Sequence, residues 1–139
     1  MHAHTEWQHD DVFLGTAASG HTVTLDAGDA HADGPSPMEM ILVALCGCTS
    51  VDVVSILRKK RQPFTGVRVA ATSERAPEPP RVFTRIHLTY TVGGTGLSRK
   101  AVEDAVALSK DKYCSVSKML EKAAEISYEI VFADGEPLA

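Results

Sequence analysis

The sequence predicts an α+β domain, and three observations carry that expectation. Strand-like and helix-like patterns come in blocks (strands, a long helix, two strands, two helices, a strand) rather than in strict β–α alternation. Residues 40–51 contain no charged side chain and place apolar groups all round a helix, the pattern of one buried on every side. Residues 82–92 alternate with period two. Val82, Thr84, Ile86, Leu88, Tyr90 and Val92 fall on one face and Phe83, Arg85, His87, Thr89 and Thr91 on the other.

In chain order, residues 5–9, 11–17 and 21–26 carry Val, Thr, Phe and Leu between turn residues and read as an antiparallel meander, with Ser19-Gly20 as a tight turn. A small, polar loop over 27–35 leads into the long helix. Ser36 is its N-cap, Pro37 its first residue, and Glu39, three residues after the serine, completes a capping box. Arg58, Lys59, Lys60 and Arg61 complement the negative end of the helix dipole, and Pro63 stops the helix. The uncharged run is shorter than the roughly 18 to 20 residues that cross a bilayer, and Asp52 interrupts it, so no membrane association is expected.

Beyond the helix, residues 67–72 alternate as a strand. The Pro-rich 76–80 cannot join a ladder and must connect to the strand over 82–92. Gly93-Gly94-Thr95-Gly96 ends that strand. Ser98 caps a second helix reaching about Tyr113, with Leu97 and Val102 placed as a hydrophobic staple. A third helix runs from Ser115 to about Ala124, and a last strand sets Ile126, Tyr128, Ile130 and Phe132 against Ser127, Glu129 and Val131. With no repeat or internal linker, residues 1–139 form a single domain, long enough to build a core without metal or disulfide staples.

A net charge of −4 with no strongly basic face argues against a nucleic-acid partner. The first residues lack the basic and then apolar segments of a signal peptide, so a cytoplasmic location is expected, where thiols stay reduced. Three cysteines are too few for a disulfide framework there and are catalytic, redox-active or simply buried. Five of the six histidines lie in the first 31 residues without metal-ligand spacing, and the Gly93 to Gly96 run lacks the Lys-Ser/Thr of a phosphate loop. Neither a metal nor another cofactor is expected.

The thiols are the candidates for chemistry. Cys46 and Cys48, two apart on a helix, point roughly 200° from each other and cannot share a metal or a disulfide. Each read alone is a small hydrophobe. Around Cys48, however, Gly47, Thr49 and Ser50 are small or polar, as though space were left for another molecule, and Asp52 lies one turn on as an orienting group or a buried liability. Cys114 falls where the second helix ends and the third begins. Either the backbone N–H groups there, with Lys112 and Lys118, favour its thiolate, or Ser115 is the cap and Cys114 packs beside it.

Four segments together resemble the OsmC/Ohr family of osmotically inducible and organic hydroperoxide resistance proteins, and its YhfA-like branch most. They are Gly34-Pro35-Ser36-Pro37-Met38-Glu39, Cys48-Thr49 with Asp52-Val53-Val54-Ser55-Ile56-Leu57, Arg81-Val82-Phe83-Thr84, and Tyr113-Cys114-Ser115-Val116-Ser117. The resemblance spans nearly the whole chain. It implies an OsmC-like fold, in which curved antiparallel sheets wrap the long central helices of an intertwined homodimer.

It also implies a thiol-dependent peroxidase for organic hydroperoxides. Cys48 matches the peroxidatic position and Cys114 the resolving one, and a dithiol such as a lipoyl protein is the external reductant. Glu39 stands next to the family's acidic position, as a possible orienting carboxylate beyond its capping role. The family's thiolate-stabilising arginine from the N-terminal strands has no counterpart, because no Arg or Lys precedes Arg58. Arg81, Arg85 or a lysine near Cys114 are the remaining candidates. That gap leaves two alternatives on the same fold, a redox-inactive small-ligand binder and a cysteine-based redox sensor.

Overall fold

The computed structural model of the chain describes residues 1–133, which fall into two compact units, residues 1–43 and residue 44 onward. The first unit holds β1 (Ala3–His9), β2 (Val12–Ala17) and β3 (Thr22–Asp26) in an antiparallel sheet of order β1-β2-β3, the expected meander. Gly20 closes the second turn at φ 87°, a conformation that glycine adopts without steric cost. β3 ends on buried Asp26, whose carboxylate accepts the backbone N–H groups of Gly28 at 2.8 Å and Asp33 at 3.1 Å and so shapes the following loop. Those two N–H groups, Asp33's first, hold the Asp26 carboxyl below its ordinary range.

The loop delivers the chain to α1 (Pro37–Lys59), and the capping box forms as the sequence predicts. The Ser36 N–H donates to Glu39 Oε1 at 2.9 Å, and the Glu39 N–H donates to Ser36 Oγ at 3.1 Å.

The second unit contains the rest of α1, β4 (Gly66–Arg75), β5 (Phe83–Gly93), α2 (Arg99–Leu108), a π turn (Ser109–Tyr113), α3 (Ser115–Leu120) and β6 (Glu125–Ala133). Its sheet has the order β4-β5-β6. β4 and β5 are antiparallel, but β6 runs parallel to β5, in register from Arg85 opposite Glu125 to Gly93 opposite Ala133. The expectation of antiparallel sheets is therefore corrected here. The chain leaves β5 and returns only after two helices, the long crossover that a parallel pair requires.

The face assignment of the 82–92 strand is also corrected at its start. Arg75 pairs with Phe83 but Glu74 pairs with Arg85, so Thr84 is an extra residue in the ladder. This bulge turns Phe83 inward (6% exposed) and Val82 outward (47%), while Ile86, Leu88, Tyr90 and Val92 keep the predicted buried face. The second helix changes from α to π after Leu108 and reaches Tyr113 as expected, whereas the third stops at Leu120.

The long helix is not buried on every side within this chain. Its buried residues are Leu45, Thr49, Val53 and Leu57, one ridge at intervals of four, whereas Val43 is 56% and Val51 69% exposed. Although its uncharged run is short, the 23-residue helix is long and apolar enough to cross a membrane by length and composition alone.

Candidate functional site

Cys48 sits half-buried at the middle of α1. Thr49, the next residue, is on the buried ridge, and its hydroxyl lies 2.7 Å from the Tyr90 hydroxyl of β5 and 2.8 Å from the Ser109 hydroxyl at the start of the π turn. Ser109 in turn donates to Asp52 Oδ2 at 2.8 Å. These bonds have one direction. Ser109 spends its proton on Asp52, so Thr49 must donate to Ser109, and Tyr90 must donate to Thr49. Tyr90, Thr49 and Ser109 are all fully buried. Burial pushes the Tyr90 phenol up to about 12.

The small and polar residues around Cys48 therefore do not leave an empty berth. Thr49 is filled by its two hydroxyl partners, and Ser50 Oγ donates to the Cys46 carbonyl at 2.7 Å. A side chain at exposed Gly47 would meet nothing within 4 Å. A cleft of about 360 Å³ opens beside the network instead, lined by Asp52, Ser55, Ile56, Lys59, Lys60, Leu108 and Tyr113. Cys46 is half-buried, and burial pushes its thiol up.

The five-residue π turn carries the chain from Ser109 to Cys114, whose N–H donates to the Ser109 carbonyl at 2.8 Å. Cys114, not Ser115, is the N-cap of α3. Its sulfur accepts the Ser117 N–H at 3.4 Å, the same side-chain-to-N3 contact a serine cap would make. The Ser117 hydroxyl, one turn on, is the buried side-chain oxygen among the described residues without a hydrogen-bond partner.

The structure brings Cys48 and Cys114 together. Cys48 is near enough to Cys114 to push its thiol up, and negative charge on either Cys48 or Asp52 acts in the same direction. The expectation that the helix start favours a Cys114 thiolate is corrected, because Cys114 is fully buried and desolvation pushes its thiol well up. The Ser117 N–H opposes this without overcoming it, and among the described residues no cation is one of the charges acting on the sulfur.

Of the cationic candidates, Lys112, Lys118 and Arg85 have other side-chain partners within the chain. Lys112 lies over the Tyr113 ring at 5.4 Å, Lys118 meets Glu121 at 3.2 Å, and Arg85 meets Glu125 at 3.7 Å; Arg81 uses its carbonyl to accept from Arg75 Nε at 2.8 Å. Glu39 belongs to the first unit. The Ser36 N–H is the main cause holding its carboxyl low, and His31 Nε2 stands 3.6 Å from it. Among the described residues no group of three or more His, Cys, Asp or Glu is arranged to hold a metal.

Thr49 apart, the members of the hydroxyl chain escaped the sequence reading. Tyr90 and Ser109 are ordinary core and helix positions in the linear pattern, and only a pairing across 41 and 60 residues reveals them.

Residues 28–129 match the sequence profile of the OsmC-like protein family. The chain belongs to the OsmC-like family. Protein YhfA of Escherichia coli K12 is 50% identical to this OsmC-like protein over 135 residues, 96% of the chain and 100% of YhfA. A crystal structure of a hypothetical protein from Aquifex aeolicus VF5 is 31% identical, with a TM-score of 0.80 over 94% of this chain and 96% of that one. The organic hydroperoxide resistance protein OhrB of Bacillus subtilis shares the fold at 15% identity, with a TM-score of 0.62 over 94% of this chain and 98% of that one.

Proposed function

We propose that this OsmC-like protein is a cytoplasmic thiol peroxidase that reduces organic hydroperoxides and works as a homodimer. The observation that carries the reading is the meeting of two free thiols in unlike settings, one half-buried in mid-helix and one fully buried at a helix start. Kinship with a family that includes hydroperoxide resistance proteins supports it.

Cys48, the more accessible sulfur, attacks the terminal peroxide oxygen as a thiolate. The S–O bond forms, the O–O bond breaks, and the alkoxide leaves as alcohol after taking a proton, so that Cys48 becomes a sulfenic acid. The Cys114 sulfur then attacks Cys48. The S–S bond forms, the S–O bond breaks, and hydroxide leaves with the Cys114 proton as water. An external dithiol of the lipoyl class returns two electrons and regenerates both thiols. A Cys114 kept protonated by burial suits the second role, since it does not compete with Cys48 for peroxide. Glu39 serves α1 through its capping box with Ser36.

Steady-state reduction of cumene hydroperoxide with dihydrolipoamide tests the proposal. Cys48→Ser and Cys114→Ser lose turnover and Cys46→Ser keeps it. A second reading, a redox-inactive binder of small apolar ligands, is favoured by the absence of any Arg or Lys before Arg58, where the family's thiolate-stabilising arginine stands. Wild-type protein that turns over no hydroperoxide with any dithiol, yet binds an apolar probe saturably, would establish that reading instead.

A further inference from the structure

Ser109 belongs to two structures at once. Its carbonyl accepts the Cys114 N–H at 2.8 Å and closes the π turn. Its hydroxyl is gripped from α1, accepting from Thr49 and donating to Asp52, both at 2.8 Å. Thr49 directly follows Cys48, and Asp52 lies four residues beyond it. We propose that Ser109, Thr49 and Asp52 are positioning residues for the disulfide step, pinning the turn that carries Cys114 to the helix that carries Cys48. This rests on reading the two thiols as a redox pair.

The physical case is one of cost and direction. A five-residue π turn is a rare departure from the α ladder and persists where its surroundings hold it. Here the holding groups are buried hydroxyls, so losing one leaves its neighbours desolvated and unpaired. Because the bonds run from Tyr90 through Thr49 and Ser109 to Asp52, substitutions have graded effects. Ser109→Ala removes both grips, and Thr49→Val removes one while stranding the Tyr90 hydroxyl. Thr49→Ser keeps the relay, Asp52→Asn keeps an acceptor oxygen, and Tyr90→Phe leaves the links from Thr49 onward intact.

The test equilibrates the full chain anaerobically with reduced and oxidised dithiothreitol, and the Cys48–Cys114 disulfide is measured by alkylation and peptide mass spectrometry. The exchange balances: protein dithiol and cyclic dithiothreitol disulfide give protein disulfide and reduced dithiothreitol. Ser109→Ala and Thr49→Val are expected to lower the equilibrium constant by about tenfold, equivalent to ~30 mV for a two-electron couple. Thr49→Ser, Asp52→Asn and Tyr90→Phe stay near wild type. Val102→Ala, a cavity at a fully buried α2 position, lowers the melting temperature but leaves the equilibrium unmoved.

Wild-type values for Ser109→Ala and Thr49→Val, or an equal fall in Val102→Ala, overturn the pinning role and leave the redox pair standing. A wild type that forms no Cys48–Cys114 disulfide at any ratio overturns both. If Ser109→Ala does not fold, the contrast between Thr49→Val and Thr49→Ser decides.

Discussion

Cys48 and Cys114 differ in access, and the difference is measurable. Cys114 is fully buried with its thiol pushed up by desolvation, while Cys48 is half-buried. Brief iodoacetamide treatment of native protein at pH 7 is therefore expected to label Cys48 ahead of Cys114. Cys114 labelling should rise only above the ordinary thiol range or on unfolding, as peptide mapping at several pH values will show; equal labelling at neutral pH would contradict the burial argument.

Tyr90 makes a second prediction. Folding raises its phenol from 10 to about 12, so the unfolded chain loses that proton first. The stability this group contributes is full below pH 10 and is lost as pH rises from 10 to about 12, a change of about 2–3 kcal/mol. Urea unfolding of Tyr90→Phe should show that much less alkaline loss than wild type, after a deficit of about 1 kcal/mol at pH 8 for the missing hydrogen bond. Tyr90 was legible as a core residue from the period-two pattern. Its hydroxyl partner was not, because the pattern says which face is buried and nothing about what lies opposite.

At the scale of elements, local signals were read where local chemistry decides them. The capping box at Ser36 and Glu39, the Ser98 cap accepting the Ala101 N–H at 3.1 Å, and the first-unit meander all formed where the sequence placed them. The departures lie where a distant strand intervenes: the Thr84 bulge, set by the pairing of β5 with β4, and the parallel direction of β6. The end of β5 offers a test. Gly94 has φ 149°, and a Cβ there would stand 2.5 Å from the Pro63 carbonyl oxygen and 2.9 Å from Phe64 Cα, both backbone atoms. Gly94→Ala should cost more than about 1 kcal/mol of unfolding free energy in urea.

For the whole molecule, the decisive feature is the apolar helix left uncovered within one chain. Val43 and Val51 stand exposed on a helix without charge from Met40 to Val51. Such a surface is stable in water when another surface covers it, which is the physical ground for the proposed homodimer. Sedimentation velocity is expected to give twice the chain mass at micromolar concentration, and Val51→Glu to shift the protein toward monomer. A wild-type monomer under those conditions would remove the dimer from the proposal.

By itself the sequence determined the order of helices and strands, the cap and boundary of the long helix, the family, and the two thiols worth watching. These follow from contacts within a few residues or from motifs quoted whole. Only the tertiary structure decided that Cys48 and Cys114 are neighbours, that Cys114 is the cap and its thiol is raised rather than lowered, and that a one-way hydroxyl chain ends at Asp52. The reason is physical: desolvation and hydrogen-bond direction depend on which groups the fold brings within about 3 Å, and that information is distributed over residues dozens of positions apart.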